Sequence, residues 1–218
     1  MFENRFKAKA IFLDLDGTIV DSRQAYFEAA QAGFQAVGLE PPEMKIALEI
    51  PRRMEQGLSI DDLMGGNLKK FMNIYLNTYY LLTKQKTRLI PNVSQALQTL
   101  SLKSKLALVT MRYVPGEAVI RELQFFGIAK YFTRVMTAMD TSKPKPSPEA
   151  LFNCIKALEV HMCDCLIAGD SVNDIRAGKA AGAKTVGVLS GLFYSEELAK
   201  ECPDLILSDL TKLPNVIS

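Results

Sequence analysis

Hydrophobic positions along the chain fall into two rhythms. Short, nearly continuous apolar runs occupy residues 9–13, 105–110, 134–137, 165–169, 185–188 and 205–207, and runs of that length and character predict strands buried on both faces. Between the later runs, residues 116–126, 148–158, 172–181 and 195–201 carry helical content. Strand and helix in alternation predict βαβ units: an α/β fold built on a doubly wound parallel sheet with helices on both faces.

Residues 22–86 break this rhythm. They hold no convincing strand and read as a helix over 22–37, a second helix starting at Pro41-Pro42, and a long helical stretch from 60 or 67 to 82. The chain then returns to the sheet near Pro91. The expected organisation is a core of residues 1–20 and 88–218, interrupted by an all-helical insert of residues 21–87. An insert placed straight after the first strand is suited to close over a site at the strand ends.

The first strand leads into Asp14-Leu15-Asp16-Gly17-Thr18. In an open α/β sheet, ligands bind at the carboxyl ends of the strands. On an extended chain Asp14 and Asp16 would share a face. Two like charges that close call for a positive charge beside them, and a divalent cation is the obvious candidate. The same residues also read as turn chemistry, with Asp-Gly ending the strand and one Asp capping a helix.

Later strand ends add to the set. Thr110 closes one apolar run, Lys145 lies in the proline-flanked stretch Lys143-Pro144-Lys145-Pro146-Ser147-Pro148, and Asp170 and Asp174 follow the run 165–169. Taken singly, these are a strand terminus, a loop charge and helix caps. Taken together they are four carboxylates, a lysine and a threonine converging on one sheet edge, which independent caps have no reason to produce.

Composition narrows the function classes. A chain of 218 residues, 48% hydrophobic and 23% charged, with a net charge of +2, carries no basic stripe for nucleic acid. No apolar run reaches the roughly 18 residues of a membrane span. The stretch from Phe2 to Lys9 has scattered charges and no signal-peptide core. Four irregularly spaced cysteines argue for reduced thiols. His161-Met162-Cys163-Asp164-Cys165 lacks the spacing and the second ligand pair of a structural zinc site, so Cys165 reads as the opening of a buried strand. The expected setting is cytoplasmic, with neither nucleic acid nor membrane as partner, and a monomer or homodimer.

The ordered set Asp14-x-Asp16-Gly17-Thr18, then Thr110, then Lys145-Pro146-x-Pro148, then Gly169-Asp170-Ser171-x-Asn173-Asp174 resembles the haloacid dehalogenase superfamily of phosphohydrolases. The resemblance covers essentially the whole chain and implies a Rossmann-like core. The helical insert is similar to the small cap of the phosphoglycolate phosphatase-like branch, as are Asp21-Ser22 and the segment Ala177-Gly178-Lys179-Ala180-Ala181-Gly182. One position departs: many relatives carry Asn after the Thr or Ser of the second motif, and here Met111 follows Thr110.

What the resemblance implies is a magnesium-dependent phosphomonoesterase for a small phosphorylated metabolite, with phosphoglycolate the first candidate. Asp14 would be the nucleophile and Asp16 the acid and base. Thr110 and Lys145 would grip the phosphoryl oxygens, and Asp174 would position Lys145 or a metal-bound water. Mg2+ would be held by Asp14, the Asp16 backbone carbonyl and Asp170, while Gly17, beside Thr18, lets the backbone approach the phosphate. The acid at Asp16 favours expulsion of an alkoxide over a halide. A phosphomutase or pyrophosphatase of the same family, and a non-catalytic phosphoryl-accepting switch domain, are the alternatives.

Substrate choice is expected in the insert. Glu49-Ile50-Pro51-Arg52-Arg53 is expected at a break between two of its helices, a position that in similar proteins faces the active site. Arg52 or Arg53 would bind a substrate carboxylate or second phosphate, or else be solvated surface charges. Tyr75 and Tyr79, four residues apart, suit the buried face of one helix.

Overall fold

In the computed structural model, which describes residues 6–64 and 67–218, the first strand, β1, runs Ala10–Leu13. Its residues alternate between two buried layers. Ile11 and Leu13 face one core, and Ala10 and Phe12 face the other, so every position is apolar. Residues 2–5 of the amino-terminal reading, and residues 65 and 66 within the stretch from 60 to 82, lie outside the described residues.

The chain then forms the short strand β2 (Val20–Asp21) and four helices: α1 (Arg23–Ala36), α2 (Met44–Gln56), α3 (Asp61–Met64) and α4 (Leu68–Lys86). A second short strand, β3 (Arg88–Leu89), pairs with β2. Thereafter strand and helix alternate: α5 (Val93–Ser101), β4 (Lys105–Val109), α6 (Gly116–Phe125), β5 (Phe132–Met136), α7 (Glu149–Leu158), β6 (Cys165–Gly169), α8 (Val172–Ala181), β7 (Lys184–Val188), α9 (Ser195–Lys200) and β8 (Leu205–Leu207).

The main sheet has six strands in the order β5-β4-β1-β6-β7-β8, and every pairing in it is parallel. From β1 the chain winds outward through β4 to β5, returns to β6 on the other side of β1, and winds outward again. The order therefore reverses beside β1, where the crevice outside the strand ends is the favoured place for a ligand. Register keeps those ends level, since Leu13 lies beside Leu108 of β4 and Ala168 of β6.

Helices cover both faces. Val93, Leu97 and Leu100 of α5, with Val119 and Leu123 of α6, pack on the face carrying Ile11, Leu13, Leu106 and Leu108. Leu151, Cys154 and Leu158 of α7, with Ala177 of α8, pack on the face carrying Phe12, Ala107 and Ile167. The sheet and its helices are the doubly wound α/β fold that the apolar rhythm predicts.

Two compact units divide the chain: Met1–Val20 with Leu89–Ser218, and Asp21–Arg88. Among its described residues the second unit holds helices α1 to α4 with one strand residue at each end, and its core includes a seam between α1 and α4. Ala25, Ala29 and Gly33 of α1 recur every four residues and leave room for Phe71, Tyr75 and Tyr79 of α4, which recur at the same interval. A Cβ at Gly33 would come within 2.6 Å of the Phe71 ring. The Tyr26 and Tyr79 rings stack with centroids 4.6 Å apart.

The expected break at residues 49–53 is not there. Helix α2 continues through Pro51 and stops at Gly57, whose left-handed backbone (φ +69°) ends the helix. Pro51 gives up one backbone hydrogen bond, but it and Ile50 are buried, so packing holds the helix together across it. Among the described residues no helix is long and apolar enough to cross a membrane.

Candidate active site

Strand β1 ends at Leu13, so Asp14 is the first residue beyond the apolar run. Its backbone N–H still donates to Ala168 O of β6 (3.1 Å), which fixes the residue at the strand edge. The carboxylate is buried. Lys145 Nζ donates to Asp14 Oδ1 (2.7 Å), to Asp174 Oδ1 (2.6 Å) and to the Val109 carbonyl at the end of β4 (2.9 Å). One ammonium thus uses its three protons on three strand-end acceptors. Lys145, read as a loop charge when taken singly, is 3% exposed.

Asp174 joins the site and the start of α8. Ser171 is the N-cap, and its backbone N–H donates to Asp174 Oδ2 (3.2 Å) in a capping box, while Asp174 Oδ1 accepts from Lys145. Capping and site chemistry are therefore not alternatives at this residue: each uses a different oxygen.

Asp170 is held from two sides. Thr18 Oγ1 is 3.4 Å from its Oδ1, and the Leu192 backbone N–H donates to its Oδ2 (3.0 Å). Gly17 has φ +78°, a region that favours glycine, and a Cβ there would lie 2.5 Å from Asp170 Oδ2. A Cβ at Gly191 would collide with the same carboxylate. The loop after β7 also ties to the first motif through Ser190 Oγ, which donates to Gly17 O (2.7 Å). Residues 190–192 were not part of the sequence reading.

Asp14, Asp170 and Asp174 each offer a carboxylate oxygen, and these atoms lie within 4.8 Å of one another. Three buried carboxylates against one ammonium leave an excess of negative charge. Burial, and then the charge of Asp174, push Asp14 up to about 8 despite the opposing pull of Lys145. Burial works to lower the pKa of Lys145, but Asp14 and Asp174 outweigh it and hold the ammonium charged. An all-oxygen, negatively charged cluster fits a hard divalent cation. Among the described residues, this is the group with metal-holding geometry, and His161, Cys163 and Cys165 do not form one.

Asp16 is set differently. Its carboxylate accepts from Arg112 Nη2 at Oδ1 and from Arg112 Nε at Oδ2, both at 2.7 Å. The positive charges beside the two aspartates of the first motif are thus Lys145 for Asp14 and Arg112 for Asp16. Sequence reasoning missed Arg112. A signal was present in its second partner, Glu122, which shares the buried stripe of α6 with Val119 and Leu123: a carboxylate on an apolar helix face needs a buried cation.

Thr110, directly after β4, is buried, and its Oγ1 accepts from the Arg112 backbone N–H (3.2 Å). The insert arginines have carboxylate partners in their own unit. Arg52 Nη1 donates to Glu49 (2.6 and 2.9 Å), and Arg53 Nη1 to Asp62 (2.7 and 2.9 Å).

A family model of haloacid dehalogenase-like hydrolases matches residues 11–188. A phosphoglycolate phosphatase of Vibrio vulnificus is 31% identical over 220 residues, covering 96% of each chain. A Clostridium perfringens protein provisionally named as the pyrophosphatase PpaX is 30% identical over 198 residues, 90% of this chain and 91% of that one. The crystal structure of a predicted phosphoglycolate phosphatase from Haemophilus somnus superposes with a TM-score of 0.77 at 25% identity, covering 96% of this chain and 98% of the other.

Proposed function

Because this chain belongs to the haloacid dehalogenase-like hydrolases, in the phosphoglycolate phosphatase-like branch, we propose that it is a Mg2+-dependent phosphatase of a small phosphorylated metabolite. Phosphoglycolate is the substrate we put first, and the setting we propose is cytoplasmic. The observation that carries this reading is the buried carboxylate of Asp14 at the end of β1, 2.7 Å from Lys145 Nζ and clustered with Asp170 and Asp174.

Asp14 attacks the phosphorus, the bond to the leaving oxygen breaks, and an aspartyl phosphate forms on Asp14. Asp16 gives a proton to the departing alkoxide and then takes one from the water that hydrolyses the phosphoenzyme. Lys145 and the Thr110 hydroxyl hold the phosphoryl oxygens, and Gly17 brings backbone close to them. Asp174 keeps Lys145 in place. Asp14, Asp170 and the Asp16 carbonyl would hold Mg2+, which supplies positive charge against the phosphoryl oxygens. Helices α1 to α4 serve as the cap, in which Arg52 or Arg53 reads a second anionic group of the substrate.

The test is a screen of phosphorylated metabolites that includes phosphoglycolate and inorganic pyrophosphate, run with Mg2+ and with chelator. The expected result is Mg2+-dependent release of phosphate from a small monoester and its loss in Asp14→Asn. Preference for pyrophosphate would replace the monoesterase reading, and a phosphoenzyme that forms without turnover would favour the switch domain.

A further inference from the structure

Arg112 is 4% exposed and Glu122 5% exposed, and Glu122 and Asp16 together take each nitrogen of the Arg112 guanidinium. Nε and Nη2 form a two-pronged fork on Asp16, while Nη1 donates to Glu122 Oε2 (2.5 Å). The backbone of Arg112 is pinned as well. Its N–H donates to Thr110 Oγ1, and its carbonyl accepts from the Ala138 N–H (3.1 Å). Three points of attachment in one plane leave the guanidinium no freedom to rotate, and a fork of this kind fixes the plane of the carboxylate it holds.

Stability alone is a poor account of this arrangement. Burying an arginine is costly, and one carboxylate suffices to neutralise it. Glu122 already does so. The second carboxylate, Asp16, leaves the triad with a net negative charge, and it comes from the loop that carries Asp14. A bidentate pair engages both carboxylate oxygens from one edge and so sets the plane in which they lie.

We propose that Arg112, itself locked by Glu122, is the positioning residue for Asp16 in proton transfer to and from the reacting oxygen. This rests on the reading of Asp16 as the acid and base. The orientation of that group is then set by the turn after β4 and by α6, and the phosphoryl grip of Thr110 and the aim of Asp16 are joined through two residues of one short turn.

The experiment compares single-turnover phosphorylation by phosphoglycolate, whose alkoxide needs a proton to leave, with that by p-nitrophenyl phosphate, whose phenolate does not. Removing Arg112 alone strands Glu122, so the principal variant is the pair Arg112→Met with Glu122→Gln, checked for fold by circular dichroism. Asp16→Asn is measured alongside. The expected result is that the double variant loses roughly 10- to 100-fold more rate on phosphoglycolate than on the aryl ester, a part of the 10²–10⁴ that a positioned acid contributes. Adding Asp16→Asn to it should bring little further loss. Arg112→Lys, which keeps the charge without the fork, should fail to restore the rate.

Equal losses on both substrates for the double variant, with Asp16→Asn still selective, would overturn the positioning role and leave the acid intact. Full recovery with Arg112→Lys would overturn the fork. An Asp16→Asn variant with no preference between the substrates would overturn the acid and the positioning role together.

Discussion

Lys145 lies between Asp14 and Asp174, 2.7 Å from one carboxylate and 2.6 Å from the other, all three side chains being buried. The lysine donates to both acids, so Lys145→Met takes the same partner from each. Breaking a buried ion pair from one side costs about 3–5 kcal/mol. Urea unfolding of Lys145→Met should show a loss of that order, partly recovered by millimolar Mg2+. An unfolding midpoint unchanged from the parent protein would mean that the acids do not rely on this cation.

Asp14 makes the metal-free protein sensitive to pH. Its folded pKa of about 8 stands above the ordinary 3.8, so between those values the native state holds a proton that the unfolded chain has released. Stability from this group is complete below the unfolded pKa and drains away as pH rises through 8. In chelator, Asp14→Asn should therefore gain thermal stability over the parent protein, more at pH 8 than at pH 5. In a chain of this size each kcal/mol appears as about 2–4 °C. Added Mg2+ should raise the Tm of the parent protein more than that of the variant. A Tm difference that does not vary with pH would contradict the assignment.

Gly191 and Gly17 both approach the Asp170 carboxylate more closely than any side chain would allow. Gly191→Ala should push Asp170 from its place and weaken Mg2+ affinity by roughly 10- to 100-fold, the usual cost of disturbing the support of a metal ligand. Calorimetric titration of the folded variant measures this directly. Parental affinity would show that Asp170 is not a ligand.

If Arg52 or Arg53 reads a second anion on the substrate, one of the two single Ala variants should lose about 1.5–3 kcal/mol in kcat/KM for a carboxylated phosphate, the range for a hydrogen bond to a charged group. The loss on p-nitrophenyl phosphate, which has no second anion, should be much smaller. Equal effects on both substrates would assign the arginines to their pairs with Glu49 and Asp62.

How much of this was legible in the sequence followed the range of the forces involved. Strands 165–169 and 205–207 and the helix 172–181 match β6, β8 and α8 residue for residue. Continuous apolar runs and a Ser-to-Gly bracket are local signals. Helix α5 lies outside the elements the sequence predicts, although Val93, Ala96, Leu97 and Leu100 mark one face, because it is only 9 residues long and Asn92 before it makes no side-chain cap. Pro51 misled, since its local cost was outweighed by packing that sequence does not display. The Asp16–Arg112 pair spans 96 positions and belongs to no local pattern. Only the misplaced Glu122 hinted at it.

The two oxygens of Asp174 have one further consequence. With one fastened to the start of α8 and the other to Lys145, a replacement at position 174 that removes both oxygens disturbs the scaffold together with the chemistry. A saturation survey scoring cellular abundance separately from growth on a phosphorylated nutrient should find position 174 intolerant on both scales. Position 14 should part the two, with asparagine retained in abundance and absent among growers. Paired scores of this kind would sort the acidic residues of the sheet edge by what they hold up as well as by what they do.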